Sequence, residues 1–364
     1  MKKLQKFSIL LALLLAVAFA APTLAQTAPP DPARSAANKA AAWLLTQQHE
    51  DGGYGPAAGN TPSTLGQTDD AIFAFAALGK APAGISKNGK SLTYFLLGHI
   101  AQAKSAGETC KSALAAATSL PIGGQSYGGV NIYDKIDSFY NASSGMYGSS
   151  TIDHAYCLLA QKQLGRAVLP AAVTALSSLQ ISDGSWAFAG AGKPNDGDTN
   201  TTALAIQALI ANGVDKANPT MSKALTYLKS QQNADGGFPY QNPSQYGTDT
   251  DANSTAYVIQ ALVALGIDPA ATGTPFDKGN GATPLAALLK LQVPSGAFIF
   301  QATTNSENIL ATMQAIPALE YVTQPQPPLR SDPGQTYPTP DITSLPAVAS
   351  TPTPAMAAAT PANA

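Results

Sequence analysis

Gln180-Ile181-Ser182-Asp183-Gly184-Ser185-Trp186 recurs with unchanged spacing as Gln232-Asn233-Ala234-Asp235-Gly236-Gly237-Phe238 and as Gln48-His49-Glu50-Asp51-Gly52-Gly53-Tyr54. Two weaker copies are Gln292-Val293-Pro294-Ser295-Gly296-Ala297-Phe298 and Asn141-Ala142-Ser143-Ser144-Gly145-Met146-Tyr147. The shared pattern is Gln, two residues, Asp or Ser, Gly, one residue, aromatic. Its constant internal spacing marks a repeat architecture, in which one unit cannot bury its apolar face alone and must stack on its neighbours.

Working outward, each Gln copy closes an apolar-periodic segment. Ala42-Trp43-Leu44-Leu45, Ala175-Leu176 with Leu179, Ala224-Leu225 with Tyr227-Leu228, and Leu285 with Leu288-Leu289 all have helical spacing. The Asp-Gly pair then ends the helix, because glycine accepts the left-handed backbone of a C-cap. A second type of helix follows. Asn200–Gly213 and Asn253–Gly266 are near copies of one another, and Thr68–Gly79, His154–Gly165 and Asn308–Leu319 fit the same template. These are apolar nearly all round, so the reading is of helices buried on most faces. A further pair without the Gln motif lies between about Ser91 and Leu120. The expected fold class is all-α, with about six hairpins arranged as two concentric rings, an α6/α6 toroid. Closing the ring removes the exposed end repeats that a linear solenoid leaves.

Composition agrees with such a body. Only 12% of the 364 residues are charged, about half the usual fraction, and 45% are apolar. With 20 basic and 22 acidic residues the formal net charge is −2, which excludes the basic footprint of nucleic-acid binding. Residues 1–25 read as a secretory signal peptide, with Lys2, Lys3 and Lys6 ahead of an apolar run from Phe7 to Ala21. No membrane span is expected once it is cleaved. Residues 323–364, rich in Pro, Thr and Ala, read as a disordered tail that would associate the protein with the cell envelope. The toroid domain is expected over 32–322, in a secreted or envelope location.

The Gln-x-x-Asp-Gly-x-aromatic copies resemble the Gln-Trp repeat of the terpenoid cyclase and protein prenyltransferase superfamily. That superfamily includes squalene-hopene cyclases, prenyltransferase subunits and cobalamin carriers of the transcobalamin and intrinsic-factor type. The resemblance implies an α6/α6 toroid whose inner helices line a cavity. It does not imply one chemistry.

Class II cyclases use an Asp-x-Asp-Asp acid motif. The best-aligned helix starts here read Asp251-Ala252-Asn253-Ser254 and Asp198-Thr199-Asn200-Thr201, with Asn where the acid should stand. Asp69-Asp70 is the nearest carboxylate pair and the candidate catalytic pair of a cyclase-type reading. Asp153, His154 and Cys157 have the ligand types of a prenyltransferase zinc site at other spacings. Cys110 and Cys157 fall at the starts of consecutive inner helices in the repeat alignment, and an oxidising compartment favours their disulfide. Asp196, Asp198 and Asn200, and again Asp249, Asp251 and Asn253, place oxygen donors at i, i+2 and i+4, as in the first half of a calcium loop. Helix capping is the competing reading of the same residues.

The leading functional reading is a non-catalytic binder of a small or apolar ligand at the inner-ring cavity. The ligand would be of corrinoid, isoprenoid or glycan type, and the mouth would be lined by Asp69, Asp70, Asp153, His154, Asn200 and Asn253. A terpenoid cyclase using Asp69 and Asp70, and an extracellular adhesion module, are the alternatives.

Overall fold

The computed structural model describes residues 28–57, 61–120, 126–245 and 247–327. The signal segment, residues 1–25, and most of the expected tail, 328–364, lie outside the described residues. Twelve α-helices run in chain order: α1 (Asp31–Gln47), α2 (Leu65–Ala77), α3 (Leu92–His99), α4 (Ala106–Ser119), α5 (Ile132–Asp137), α6 (Thr151–Gln163), α7 (Pro170–Ser178), α8 (Thr199–Ala211), α9 (Pro219–Gln231), α10 (Ala252–Leu265), α11 (Pro284–Leu289) and α12 (Ile309–Leu319). Four antiparallel ladders of two residues per strand are the only β-sheet among the described residues.

The even-numbered helices form the inner ring. Each packs on the next in the order α2, α4, α6, α8, α10, α12, and α12 returns to α2. The odd-numbered helices lie outside, between their neighbours. The toroid expected from the repeat is therefore present and closed.

Local chemistry starts each inner helix. Thr64, Ser105, Ser150, Asp198, Asp251 and Asn308 are N-caps whose side chains accept the N–H three residues on, satisfying one orphan donor each. Ser105 and Glu108 complete a reciprocal capping box. Alanine fills the ring contacts, for example Ala113, Ala115, Ala116 and Ala117 on α4, all fully buried. Small side chains let six helices approach a common axis closely. This packing is one source of the chain's low charge.

The Gln of the repeat is a staple. Gln180 Nε2 donates to Gly184 O at 3.0 Å and to Thr220 O, in the next outer helix, at 2.8 Å. Gln232 joins Gly236 O and Phe276 O in the same way, both at 2.8 Å, and Gln48 joins Gly52 O and Ile85 O. Gln292 reaches Gly296 O at 2.9 Å and Ala36 O at 2.8 Å. Ala36 is on α1, so the last copy of the motif ties the end of the chain to its beginning. The motif Asp or Ser holds the turn by accepting the N–H two residues on, as Asp183 does from Ser185 at 3.0 Å. Gly184 has φ 96°, and a side chain there would collide with the carbonyl of Lys223 in the next outer helix. Both facts require glycine.

The aromatic of each copy is clamped to the inner helix that follows. The N–H of Tyr54, Trp186, Phe238 and Phe298 donates to Thr68, Thr202, Thr255 and Thr312 Oγ1, at 3.1, 3.0, 3.0 and 2.9 Å. In the Asn141 copy the acceptor is His154 Nδ1, 3.0 Å from Tyr147 N. A disulfide joins Cys110 on α4 to Cys157 on α6, with Cα atoms 4.8 Å apart.

The ordered chain runs past the expected boundary at Val322. Tyr321, Gln324 and Gln326 are buried to 2%, 9% and 1% exposure, so Thr323–Gln326 belong to the packed body and not to the tail. Hydrogen bonds to the inner ring hold them, through the Gln324 backbone N–H and the Gln326 side-chain amide.

Candidate functional site at the ring axis

Because the six inner helices start at equivalent points of the repeat, residues of equal rank lie at equal height. The sixth residue of each is Asp70 in α2, Lys111 in α4, Tyr156 in α6, Leu204 in α8, Tyr257 in α10 and Gln314 in α12. Five of these six surround a space of about 30 Å3 at the axis, with Phe73, Gln260, Met313, Pro317 and Gln324 beside them. A water requires roughly 10–15 Å3 by this measure, so the space holds about two.

The layer is a bonded polar network. Lys111 Nζ lies 2.9 Å from Asp70 Oδ2 and donates to Gly66 O at 3.0 Å. Gln314 also hydrogen-bonds Asp70, and Asn253 Nδ2 donates to Gln314 Oε1 at 2.6 Å. Tyr156 and Tyr257 join through their hydroxyls at 3.2 Å, and the Lys111 ammonium lies 5.9 Å from the Tyr156 ring centroid. One residue earlier on α2, Asp69 Oδ2 accepts from Ser112 Oγ at 2.8 Å, while its Oδ1 is buried without a partner among the described residues.

Burial dominates the ionisation of these groups. Desolvation pushes Asp69 from 3.8 up to about 7, against the pull of Lys111 and Ser112. It raises Asp70 as well, again opposed by Lys111. For Lys111 itself burial is the strongest influence and pulls downward, but Asp70, Tyr257 and Asp69 together outweigh it, so the amine is raised and stays charged.

Of the six residues expected to line the mouth, only Asp70 borders the axial space directly, and Asn253 reaches the layer through Gln314. Asp69 sits against α4 through Ser112. The carboxylate of Asp153 accepts from the backbone of Ser149, Gly107 and Ser150, and so serves helix starts. His154 is fully buried and uses both ring nitrogens in the fold. Nδ1 accepts from Tyr147 N–H, which leaves Nε2 protonated to donate to Ala172 O at 2.9 Å. Burial lowers its pKa, so the ring is neutral. Asn200 Oδ1 accepts from Thr199 Oγ1 at 3.2 Å. Asp153, His154 and Asn200 do not border the axial space; each bonds to backbone or a neighbouring side chain.

The residues of the two calcium-loop patterns also make bonds within the fold. Asp198 uses both carboxylate oxygens on Thr201 N–H and Oγ1, each at 2.7 Å. Asp251 does likewise with Ser254, at 2.7 and 2.8 Å. Asp196 and Asp249 stand apart as exposed loop residues. These oxygens are engaged in helix capping, and among the described residues no group of three or more His, Cys, Asp or Glu side chains is placed to hold a metal ion. Cys157, in the disulfide, offers no thiolate to a zinc site.

Lys111, Tyr156, Tyr257 and Gln314 were not singled out from sequence. The signal was available, since counting six residues into each aligned helix picks out every one of them. The carboxylates concentrate at the helix starts, while the turn that faces the axis carries mostly uncharged side chains.

Two families match parts of the chain: the squalene-hopene cyclase C-terminal domain over residues 155–274, and the prenyltransferase alpha-alpha toroid domain over residues 12–114. Among solved structures, the apo type II terpene cyclase MstE from Scytonema is similar at TM-score 0.55 and 14% identity, covering 80% of this chain and 98% of that one. An unsaturated glucuronyl hydrolase specific for heparin is equally similar, at TM-score 0.55 and 13% identity, covering 80% and 96%. Unsaturated glucuronyl hydrolase from Bacillus sp. GL1 gives TM-score 0.55 and 13% identity over 79% and 95%. No curated protein matches the chain in sequence. At these identities the likeness is one of fold.

Proposed function

Taking the chain as an α/α toroid of the terpenoid cyclase and prenyltransferase type, we propose that it is an exported, non-catalytic binding module whose axial site holds an occupant without transforming it. The observation that carries this reading is the Lys111–Asp70 ion pair, 2.9 Å long and buried on the axis. A reaction started by protonating an alkene needs a carboxylic acid aimed at an open apolar chamber, geometry first and acidity second. Here one acid of the pair is bound to a lysine, and its neighbour hydrogen-bonds Ser112. The remaining 30 Å3 cannot admit a polyprene or a corrinoid while Gln324 is in place.

A cyclase reading keeps one favourable observation, the elevation of Asp69 to about 7, which leaves a carboxyl partly protonated near neutrality. Incubating the full chain and its Asp69→Asn variant with linear polyprenes, and analysing extracts by mass spectrometry, tests both readings. The expected result is no cyclised product from either protein. Product formed by the natural chain and lost in the variant would overturn the non-catalytic reading.

Secretion is part of the same proposal. It rests on the Lys-led apolar run at residues 1–25. Among the described residues no helix is long and apolar enough to cross a membrane.

A further inference from the structure

After α12 the chain turns back into the ring. Gln324 donates its backbone N–H to Gln207 Oε1 on α8 at 2.9 Å, and Gln326 donates Nε2 to the Phe73 carbonyl on α2 at 3.0 Å. In the ring order α2, α4, α6, α8, α10, α12, α8 stands opposite α2. Three residues therefore bridge the ring from one side to the other. Phe73 and Gln207 are each the ninth residue of their helix, one turn above the polar layer. Gln260 of α10 and Pro317 of α12 share that rank and border the space beneath Gln324.

The fit is incomplete in a telling way. Gln324 and Gln326 each keep a buried Oε1 that finds no partner among the described residues. A buried acceptor left unpaired carries a desolvation cost, so this segment is held less firmly than the helices around it. Proline stiffens the stretch and reduces the entropy lost when it docks.

We propose that the ring above the Asp70–Lys111 layer is a receptor for a bent Gln-Pro-Gln peptide segment. In this chain the segment is supplied in cis by residues 323–326, and it leaves without unfolding the toroid. The site recognises amides: Gln207 takes a backbone N–H, and the Phe73 carbonyl takes a side-chain amide. This rests on the non-catalytic reading of the axis and names the chemistry of its occupant.

The test uses the full chain carrying Gln326→Ala, which removes the internal segment's side-chain bond to the Phe73 carbonyl and so weakens its docking. A fluorescein-labelled peptide of residues 322–327 is titrated into it and anisotropy is read, with circular dichroism confirming the fold. Saturable binding is expected, weakened about fivefold when Gln207→Ala is added, the effect of one hydrogen bond. A folded variant that ignores the peptide, or binding indifferent to Gln207, overturns the proposal. Hydrogen exchange on the natural chain provides a second reading should the variant not fold. The Gln324 amide is expected to exchange by a local opening, faster than the core amides of α2 and α8. Exchange only at the rate of global unfolding would overturn it. Polyprene turnover would sink the non-catalytic reading by a separate assay, so the two failures are distinguishable.

Discussion

Lys111 is the cation on which the axial layer depends. Removing it would leave the Asp70 carboxylate buried without its ion partner, and breaking one side of a buried pair costs roughly 3–5 kcal/mol. Lys111→Met is expected to destabilise the chain by about that amount in urea unfolding, and Asp70→Asn added to it should recover part of the loss. Asp69 makes a pH-dependent contribution of definite sign. Its folded pKa of about 7 lies above the ordinary 3.8, so the native state binds the proton more tightly than the unfolded chain does. That stability is complete below about pH 4 and is lost as pH rises through 7. Asp251, at about 7, and Asp198, at about 6, are raised by burial in the same direction. Melting temperature is expected to fall between pH 5 and pH 8, and Asp69→Asn should flatten that slope without abolishing it. A slope of opposite sign would contradict the burial of these carboxyls.

Within the helical elements, one position separates what the repeat demands from what chemistry demands. His154 stands where the other four copies carry Thr68, Thr202, Thr255 and Thr312, and it performs the same service for an aromatic N–H. Read alone, a histidine beside an aspartate on a helix is a metal or ligand candidate. Read in register, it is the clamp of its repeat. His154→Thr is expected to retain more stability than His154→Ala, because the hydroxyl can still accept from Tyr147. The alanine variant should lose about 1–3 kcal/mol for the unpaired buried groups, measured by chemical denaturation. Equal losses would remove the clamp role. The Gln staples belong to this scale too. Each one serves its own turn and the neighbouring outer segment, which explains why the motif spacing cannot vary: a one-residue shift would part the amide from one of its two carbonyls.

For the whole molecule, closure and cross-linking govern stability. Gln292 reaches across to Ala36, and Trp43 Nε1 donates to Glu307 Oε2 at 3.1 Å, so the seam is bonded by residues more than 250 positions apart. The Cys110–Cys157 bridge spans 47 residues, and a disulfide typically contributes about 2–4 kcal/mol. Cys110→Ala with Cys157→Ala is expected to lower unfolding stability by that range while the helical circular dichroism signal is kept. A loss of helicity would mean that the ring needs the bridge to form at all.

The chain's order of residues by itself determined the ring. Turn, staple, cap and buried helix are local or nearest-neighbour patterns. Five copies of one motif at fixed spacing, with helices apolar on nearly all faces, admit few closed packings, and the scarcity of charge follows from that burial. Which helical rank faces the axis was decided only in three dimensions. Side-chain direction depends on helical rank, so Asp70, one residue beyond Asp69, enters the axial layer while Asp69 turns to Ser112. Asp198 and Asp251 look like ligands along the chain and prove to be caps, because an N-terminal N–H lies closer to them than any other donor set. The fate of Gln324 and Gln326 was beyond local reading altogether. A Pro-rich stretch has no packing preference of its own, and only the assembled ring, with Gln207 and Phe73 on opposite sides, creates the place that holds it.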